Sequence, residues 1–192
     1  MTLTVNAAIS LKEIDLSDAN VIFVTIDSQR EYLRKWLPFI DNTKEVTDTR
    51  RFIKAMMDTP EKTKEFTFVI HFEGEFAGLI GTKDTDKANK RTEIGYWLSE
   101  KFQKKGIITQ SVLRLMQFLF DDLGMNRIQI KCATGNFSSK KIPQRLGFCH
   151  EGIERDGELL INDKFTDLDL FSMLKRDFNI NTKIIDWNNE KT

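Results

Sequence analysis

The chain has 192 residues, 40% hydrophobic and 30% charged, which fits one globular domain that buries roughly 70% of its unfolded surface and needs no staples. Lysine plus arginine number 29 and aspartate plus glutamate 29, so the basic footprint of a protein that works on phosphate backbones is missing and direct nucleic-acid binding is not expected. No basic-then-apolar leader opens the chain, and no apolar run approaches the ~18 residues of a spanning helix. The greasiest stretch, Val112 to Phe120, is broken by Arg114 and Gln117. The only cysteines, Cys132 and Cys149, and the only histidines, His71 and His150, form no zinc-spaced cluster. A reducing, cytoplasmic setting is expected, with no membrane, no metal, and both cysteines as small buried apolar residues.

In chain order, Ile9, Leu11 and Ile14 suggest a first strand, and Ser17-Asp18 a cap ahead of a helix over Ala19 to Ile26. A helical turn around Tyr32 to Leu37 should end at Pro38, and a further helix should run from Thr47-Asp48 through Met57, stopping before Pro60. Three short apolar runs, Phe66 to Phe72, Glu75 to Gly81 and Thr92 to Leu98, read as strands joined by turns at Glu73-Gly74 and over Lys83 to Arg91. Ile108, Val112, Leu115, Met116, Leu119, Phe120 and Leu123 then mark one face of a helix closed by Gly124. The alternation of Ile128, Ile130 and Cys132 with Arg127, Gln129 and Lys131 marks a strand. A strand, a glycine-containing loop, a long helix and another strand make a crossover between parallel strands. A short helix over Asn136 to Leu146 and strands over Phe148 to Glu154 and Phe165 to Met173 follow.

The most informative stretch is the loop Lys101 to Thr109, between a strand and the amphipathic helix. Successive N–H groups at a helix N-terminus make an anion site, and Lys104 and Lys105 add positive charge at its mouth. On physical grounds alone the loop is either a phosphate cradle or simply solvated. It carries neither a three-glycine dinucleotide fingerprint nor a Walker loop.

Taken together, Glu93-Ile-Gly-Tyr-Trp-Leu, Gln103-Lys-Lys-Gly-Ile-Ile-Thr, Asn136-Phe-Ser-Ser and Leu146-Gly-Phe, in this order and spacing, resemble the GNAT superfamily of acetyl-CoA-dependent N-acetyltransferases. Within it they are most similar to the ribosomal-protein (RimJ/RimL) branch. The resemblance runs from the first strand to about Phe178. It implies a single α/β domain over 1–178 with a tail at 179–192, a mixed, mostly antiparallel sheet flanked by helices, and splayed parallel strands that form the cofactor cleft.

The resemblance further implies that Gln103, Lys104, Lys105, Gly106, Ile107, Ile108 and Thr109 form the pyrophosphate-binding turn of acetyl-CoA. Lys104 stands where relatives often have glycine, and Ile108 at the last small-residue position. Trp97 and Leu98 would offer backbone groups to the pantetheine arm where the strands splay. Asn136 would bond the pantetheine, although asparagine is also a favoured helix cap. Many relatives place a tyrosine just before Leu-Gly-Phe; here Pro143 stands there, which leaves Ser139 to assist the departing thiolate. Glu158 matches a glutamate proposed as general base, which the reaction needs because an ammonium cannot attack a thioester. A lone glutamate near a turn is otherwise a surface charge. From His150 to Leu170 seven acidic residues face two basic ones, a net of minus five that suits a cationic acceptor.

These readings point to acetyl transfer onto a primary amine, with the N-terminal α-amine of a ribosomal protein as the favoured acceptor. The alternatives are a small amine (polyamine, amino acid or drug) and a non-catalytic acetyl-CoA sensor. A monomer or homodimer is expected.

Overall fold

The computed structural model describes residues 1–60 and 63–178; the expected tail, 179–192, lies outside the described residues. Eight strands, β1 (Thr2–Thr4), β2 (Ile9–Glu13), β3 (Thr67–Phe72), β4 (Glu75–Asp86), β5 (Arg91–Leu98), β6 (Arg127–Ala133), β7 (Cys149–Leu160) and β8 (Lys164–Leu174), form one sheet in the order β1-β2-β3-β4-β5-β6-β8-β7. Every neighbouring pair is antiparallel except β5 and β6. Alternation within strands divides the core between the two faces. Phe68, Ile70, Ile80 and Ile94 pack with Ile107, Val112, Leu115 and Met116 of α4 (Ile107–Gln117) and with Ile142 of α5 (Phe137–Arg145). On the other face Val69, Leu79 and Trp97 pack with Ala19, Ile22 and Ile26 of α1 (Ala19–Ser28), with Leu33 of α2 (Arg30–Leu33) and with Ile53 of α3 (Val46–Met57).

Several local details depart from the sequence reading. The strand β1 carries one apolar residue, Leu3, too little to register as a period. Asp15, not Ser17, opens the first helical segment. Its side chain accepts from Ser17 N while Asp18 Oδ2 accepts from Asp15 N at 2.9 Å, closing a capping box around a 3₁₀ turn that runs into α1. The helical turn around Tyr32 to Leu37 stops before Pro38 as expected, and Pro38 itself begins a 3₁₀ turn over Pro38–Asn42, where its missing N–H costs nothing. The expected long helix ends as α at Gln117 and continues as a π turn over Phe118–Asp122. The wider turn lets Phe118, Leu119 and Phe120 all enter the core, three consecutive residues that no single α-helical face could bury. Cys132 is buried as expected, whereas Cys149 is exposed at the start of the edge strand β7.

The feature that makes a site is the parallel pair. β5 and β6 register through Arg91–Arg127, Thr92–Ile128 and Glu93–Gln129 and then separate. From Ile94 to Leu98, β5 pairs with β4 alone. The backbone edge that would have faced β6 is left to a cleft, with α4 entering on one side and α5 on the other.

Candidate active site

The cleft has a volume of about 560 Å³ and is lined by Trp97, Leu98, Gln103, Lys104, Gly106, Ile107, Ile108, Thr109, Asn136, Ser139 and Glu158. Residues more than sixty positions apart in sequence are thereby brought to one surface. Side chains and backbone divide the work. Trp97 sends its indole to the opposite core, 5.8 Å from the Phe76 ring, so only its backbone edge serves the cleft. Ile107 and Ile108 bury their side chains against the sheet while their N–H groups open the first turn of α4.

That first turn is uncapped. No side chain among the described residues bonds to it, it contains no acidic residue, and its preceding residue Gly106 takes a left-handed φ of +73°. Lys104 is also left-handed, at φ +62°. Alternation of left-handed positions with ordinary ones turns consecutive N–H groups toward one point, an anion-binding concavity at the positive end of a helix dipole. The contrast with α3 is instructive. There Glu45 and Asp48 close a capping box on the free donors. A pyrophosphate fits the place at α4 that no side chain fills. Gln103 does not reach into that place: its amide donates to Tyr32 Oη, which in turn donates to Leu98 O at 3.3 Å, pinning the loop to α2. Lys105 turns away, with its ammonium 4.9 Å from the Phe72 ring and 5.6 Å from Phe102. The charge expected from it at the mouth comes from Lys104, and from Lys141 and Arg145 of α5, which the sequence reading did not single out. Their spacing of four places them on one helix face.

Asn136 caps α5, its Oδ1 accepting from Ser139 N at 3.2 Å, while the amide nitrogen has no partner among the described residues. The cap therefore leaves the amide nitrogen available to a ligand in the cleft. Ser139 Oγ lies 3.1 Å from Tyr96 Oη. In the sequence Tyr96 is only one letter of a motif, yet β5 carries it to within reach of α5. Burial holds its phenol well above the ordinary range, so it stays protonated at neutral pH and can donate to Ser139. Burial likewise pushes the thiol of neighbouring Cys132 up to about 11, which keeps it out of nucleophilic chemistry.

Glu158 reaches the cleft through a bulge. The β7–β8 register jumps from Glu154–Leu168 to Glu158–Thr166, with Asp156 at φ +49°, and the strand bends. The Glu158 carboxyl is half-buried and has no bonded partner among the described residues. Burial raises its pKa, Lys83 opposes that rise, and Glu93 adds to it. Glu93 itself is 1% exposed, 2.8 Å from Lys83 Nζ. Lys131 Nζ lies 3.9 Å from Glu93 and 2.7 Å from Glu154. The signal for Glu93 in the sequence was an acid inside an apolar run. The expected acidic rim is thinner than composition suggested. Arg127 pairs with Glu151, Lys131 with Glu154, and Asp169 is buried between Lys140 and His150.

A strand-splayed cleft with an open helix N-terminus at one end and a poised carboxylate at the other defines a group-transfer enzyme that binds a phosphate-bearing donor. Residues 9–149 match the acetyltransferase (GNAT) domain model, and the chain belongs to this family, the N-acetyltransferases whose acyl donor is acetyl-CoA. It is 32% identical to YdaF of Bacillus subtilis (strain 168) over 183 residues, covering 92% of this chain and 97% of that one. It is 27% identical to the ribosomal-protein-serine acetyltransferase of Escherichia coli (strain K12) over 173 residues, 90% and 96% of the two chains. Among solved structures, the microcin C7 self-immunity acetyltransferase MccE in complex with acetyl-CoA and AMP superposes with a TM-score of 0.84 at 30% identity, covering 90% of this chain and 98% of that one.

Proposed function

We propose that residues 1–178 act as one catalytic domain that moves the acetyl group of acetyl-CoA to the N-terminal α-amine of a protein, with a ribosomal protein as the favoured acceptor, in the cytoplasm. The observation that carries this is the cleft itself: an uncapped α4 and the half-buried Glu158, whose carboxyl has no partner among the described residues, share one cavity. The similarity to a ribosomal-protein-serine acetyltransferase across 90% of the chain supports the acceptor class.

In this reading the amides of Ile107, Ile108 and Thr109 and the ammonium of Lys104 hold the pyrophosphate, and the free edge of Trp97 and Leu98 together with Asn136 aligns the pantetheine. Acetyl-CoA supplies the activated acyl group. Glu158 accepts the proton of the acceptor ammonium, directly or through water, so that the nitrogen lone pair is available for attack. A carboxylate lifted by burial is a better base for this than an exposed one. Ser139, held by the Tyr96 hydroxyl, hydrogen-bonds the departing sulfur. Backbone N–H groups on β5 stabilise negative charge that develops on the acyl oxygen.

The test is release of free thiol from acetyl-CoA over a panel of peptides with varied N-termini and a panel of small amines. Turnover on unblocked peptides and none on their N-acetylated forms is the expected result. Turnover confined to polyamines, amino acids or drugs would move the acceptor to the small-amine class. No turnover on any amine, with acetyl-CoA still bound, would make the protein a sensor.

A further inference from the structure

The reading of Glu158 as base leaves unexplained why its neighbourhood contains a buried acid flanked by two lysines. β4 and β5 place Lys83 and Glu93 directly opposite each other in register, and immediately beyond Lys83 the register breaks and Asp84 turns left-handed at φ +52°. Lys83, Glu93, Lys131 and Glu158 all line the cleft where β5 and β6 part. Four strands thus contribute to one group of charges: Lys83 from β4, Glu93 from β5, Lys131 from β6, and Glu154 and Glu158 from β7. The pairs close in a chain, Lys83 to Glu93 at 2.8 Å, Glu93 to Lys131 at 3.9 Å and Lys131 to Glu154 at 2.7 Å, while Gln129 donates to Glu93 at 3.4 Å. Beside this series the Glu158 carboxyl has no bonded partner among the described residues.

A fully buried carboxylate is costly unless paired, and a fold has no structural need for one at the mouth of its cleft. Taking this together with the role given to Glu158 above, on which the inference rests, we infer that Glu93 and Lys83 are positioning residues for the acceptor end: Glu93 holds the Lys83 ammonium so that it faces Glu158 across the cleft without pairing with it. Lys83 has three carboxylates within its field, Glu93, Glu158 and the adjoining Asp84, and bonds only to Glu93. Burial, the largest single influence, would lower its pKa, but the bond to Glu93 together with the charges of Glu93, Glu158 and Asp84 outweighs it and keeps the ammonium charged. Were Lys83 free to swing, it would pair with Glu158 and occupy the lone pairs that must take the amine proton. Were Lys83 absent, burial and Glu93 would hold Glu158 protonated to higher pH. The arrangement keeps the base ionised and unoccupied. Three carboxylates against two ammonium groups also leave one net negative charge, which suits a cationic acceptor.

The signs make the inference testable. The acid limb of kcat/KM against pH reports the free enzyme's base, read here with one responsive N-terminal peptide. Lys83→Met removes a positive neighbour, so the limb moves to higher pH by roughly half a unit or more. Lys83→Arg keeps the charge and returns the limb to the wild-type position. Glu93→Gln removes a negative neighbour and frees Lys83, so the limb moves to lower pH and the plateau falls several-fold because Glu158 is now paired and weaker. Lys83 is half-exposed at the cleft, so its variants report even where a change at buried Glu93 disturbs folding; circular dichroism and acetyl-CoA affinity serve as the integrity check. A structural role alone lowers stability and leaves both limbs in place, and that result overturns the inference. Glu158→Gln in the same series separates the two levels. If it abolishes the limb while Lys83→Met and Glu93→Gln leave the wild-type limb unmoved, the positioning role is wrong and the base stands. If Glu158→Gln keeps the limb, the base assignment is wrong and the inference falls with it.

Discussion

The two ends of the cleft are built from different materials. The donor end is mostly backbone: the open N-terminus of α4, the left-handed Gly106, and the edge of β5 that β6 has left. The proposed acceptor end is side chain: Lys83, Glu93, Lys131 and Glu158, brought from four strands. A site made from amides has fixed dipoles and no titratable group, so it should be indifferent to pH and to most side-chain changes while being intolerant of a change in backbone conformation. A site made from coupled charges should behave in the opposite way.

The largest effect belongs to the acceptor end. Glu158→Gln keeps the size of the residue and removes the proposed base, so turnover at neutral pH should fall by ~100-fold or more with acetyl-CoA affinity close to wild type. The deficit should shrink as pH rises through ~8, the range in which an α-amine loses its own proton. Steady-state rates across pH, with single-turnover traces to exclude a limiting product-release step, check this. Equal loss at all pH values would break the contrast between the two ends.

At the donor end Gly106→Val is the counterpart. A β-branched residue at φ +73° is strained and alters the backbone that presents the amides. Acetyl-CoA at ~100 times its dissociation constant should stabilise the wild type by about 2.7 kcal/mol, and the variant should lose most of that in a thermal-shift titration, with no change in the position of the acid limb. Asn136→Ala comes next. Loss of the cap alone costs ~1 kcal/mol of stability and leaves affinity intact. Loss of a pantetheine contact as well should weaken calorimetric affinity about fivefold, and an unchanged dissociation constant would return Asn136 to a cap. The smallest effect is Lys104→Ala, worth ~0.3 to 1 kcal/mol of cofactor binding at low ionic strength and less as salt rises. Lys105→Ala should do nothing measurable to affinity, because its ammonium lies over Phe72 and Phe102 instead of the cleft.

The two ends were also unequally legible in the sequence. Order and spacing of short motifs pointed to the donor end because a crossover unit keeps its strand, loop and helix contiguous, so Trp97 to Thr109 could be read as one piece. The acceptor end has no such contiguity. Lys83 and Glu93 meet through strand register, and Glu158 arrives by a bulge whose left-handed Asp156 is not glycine and so gave no signal. Tyr96 and Ser139 are 43 positions apart and touch only because β5 diverges from β6 and α5 fills the gap. In the core, periodicity announced α4, but the π turn over Phe118–Asp122 lay hidden in it, since Leu119, Phe120 and Leu123 continue the same pattern by eye.

The claim that the donor end is held by amides can be tested residue by residue with amide hydrogen exchange, with and without saturating acetyl-CoA. The account predicts new protection at Ile107, Ile108 and Thr109 and along Trp97 and Leu98, with none at the N-terminus of α3, whose donors Glu45 and Asp48 already bond. Protection that spares Ile107 to Thr109 while acetyl-CoA still stabilises the fold would contradict it.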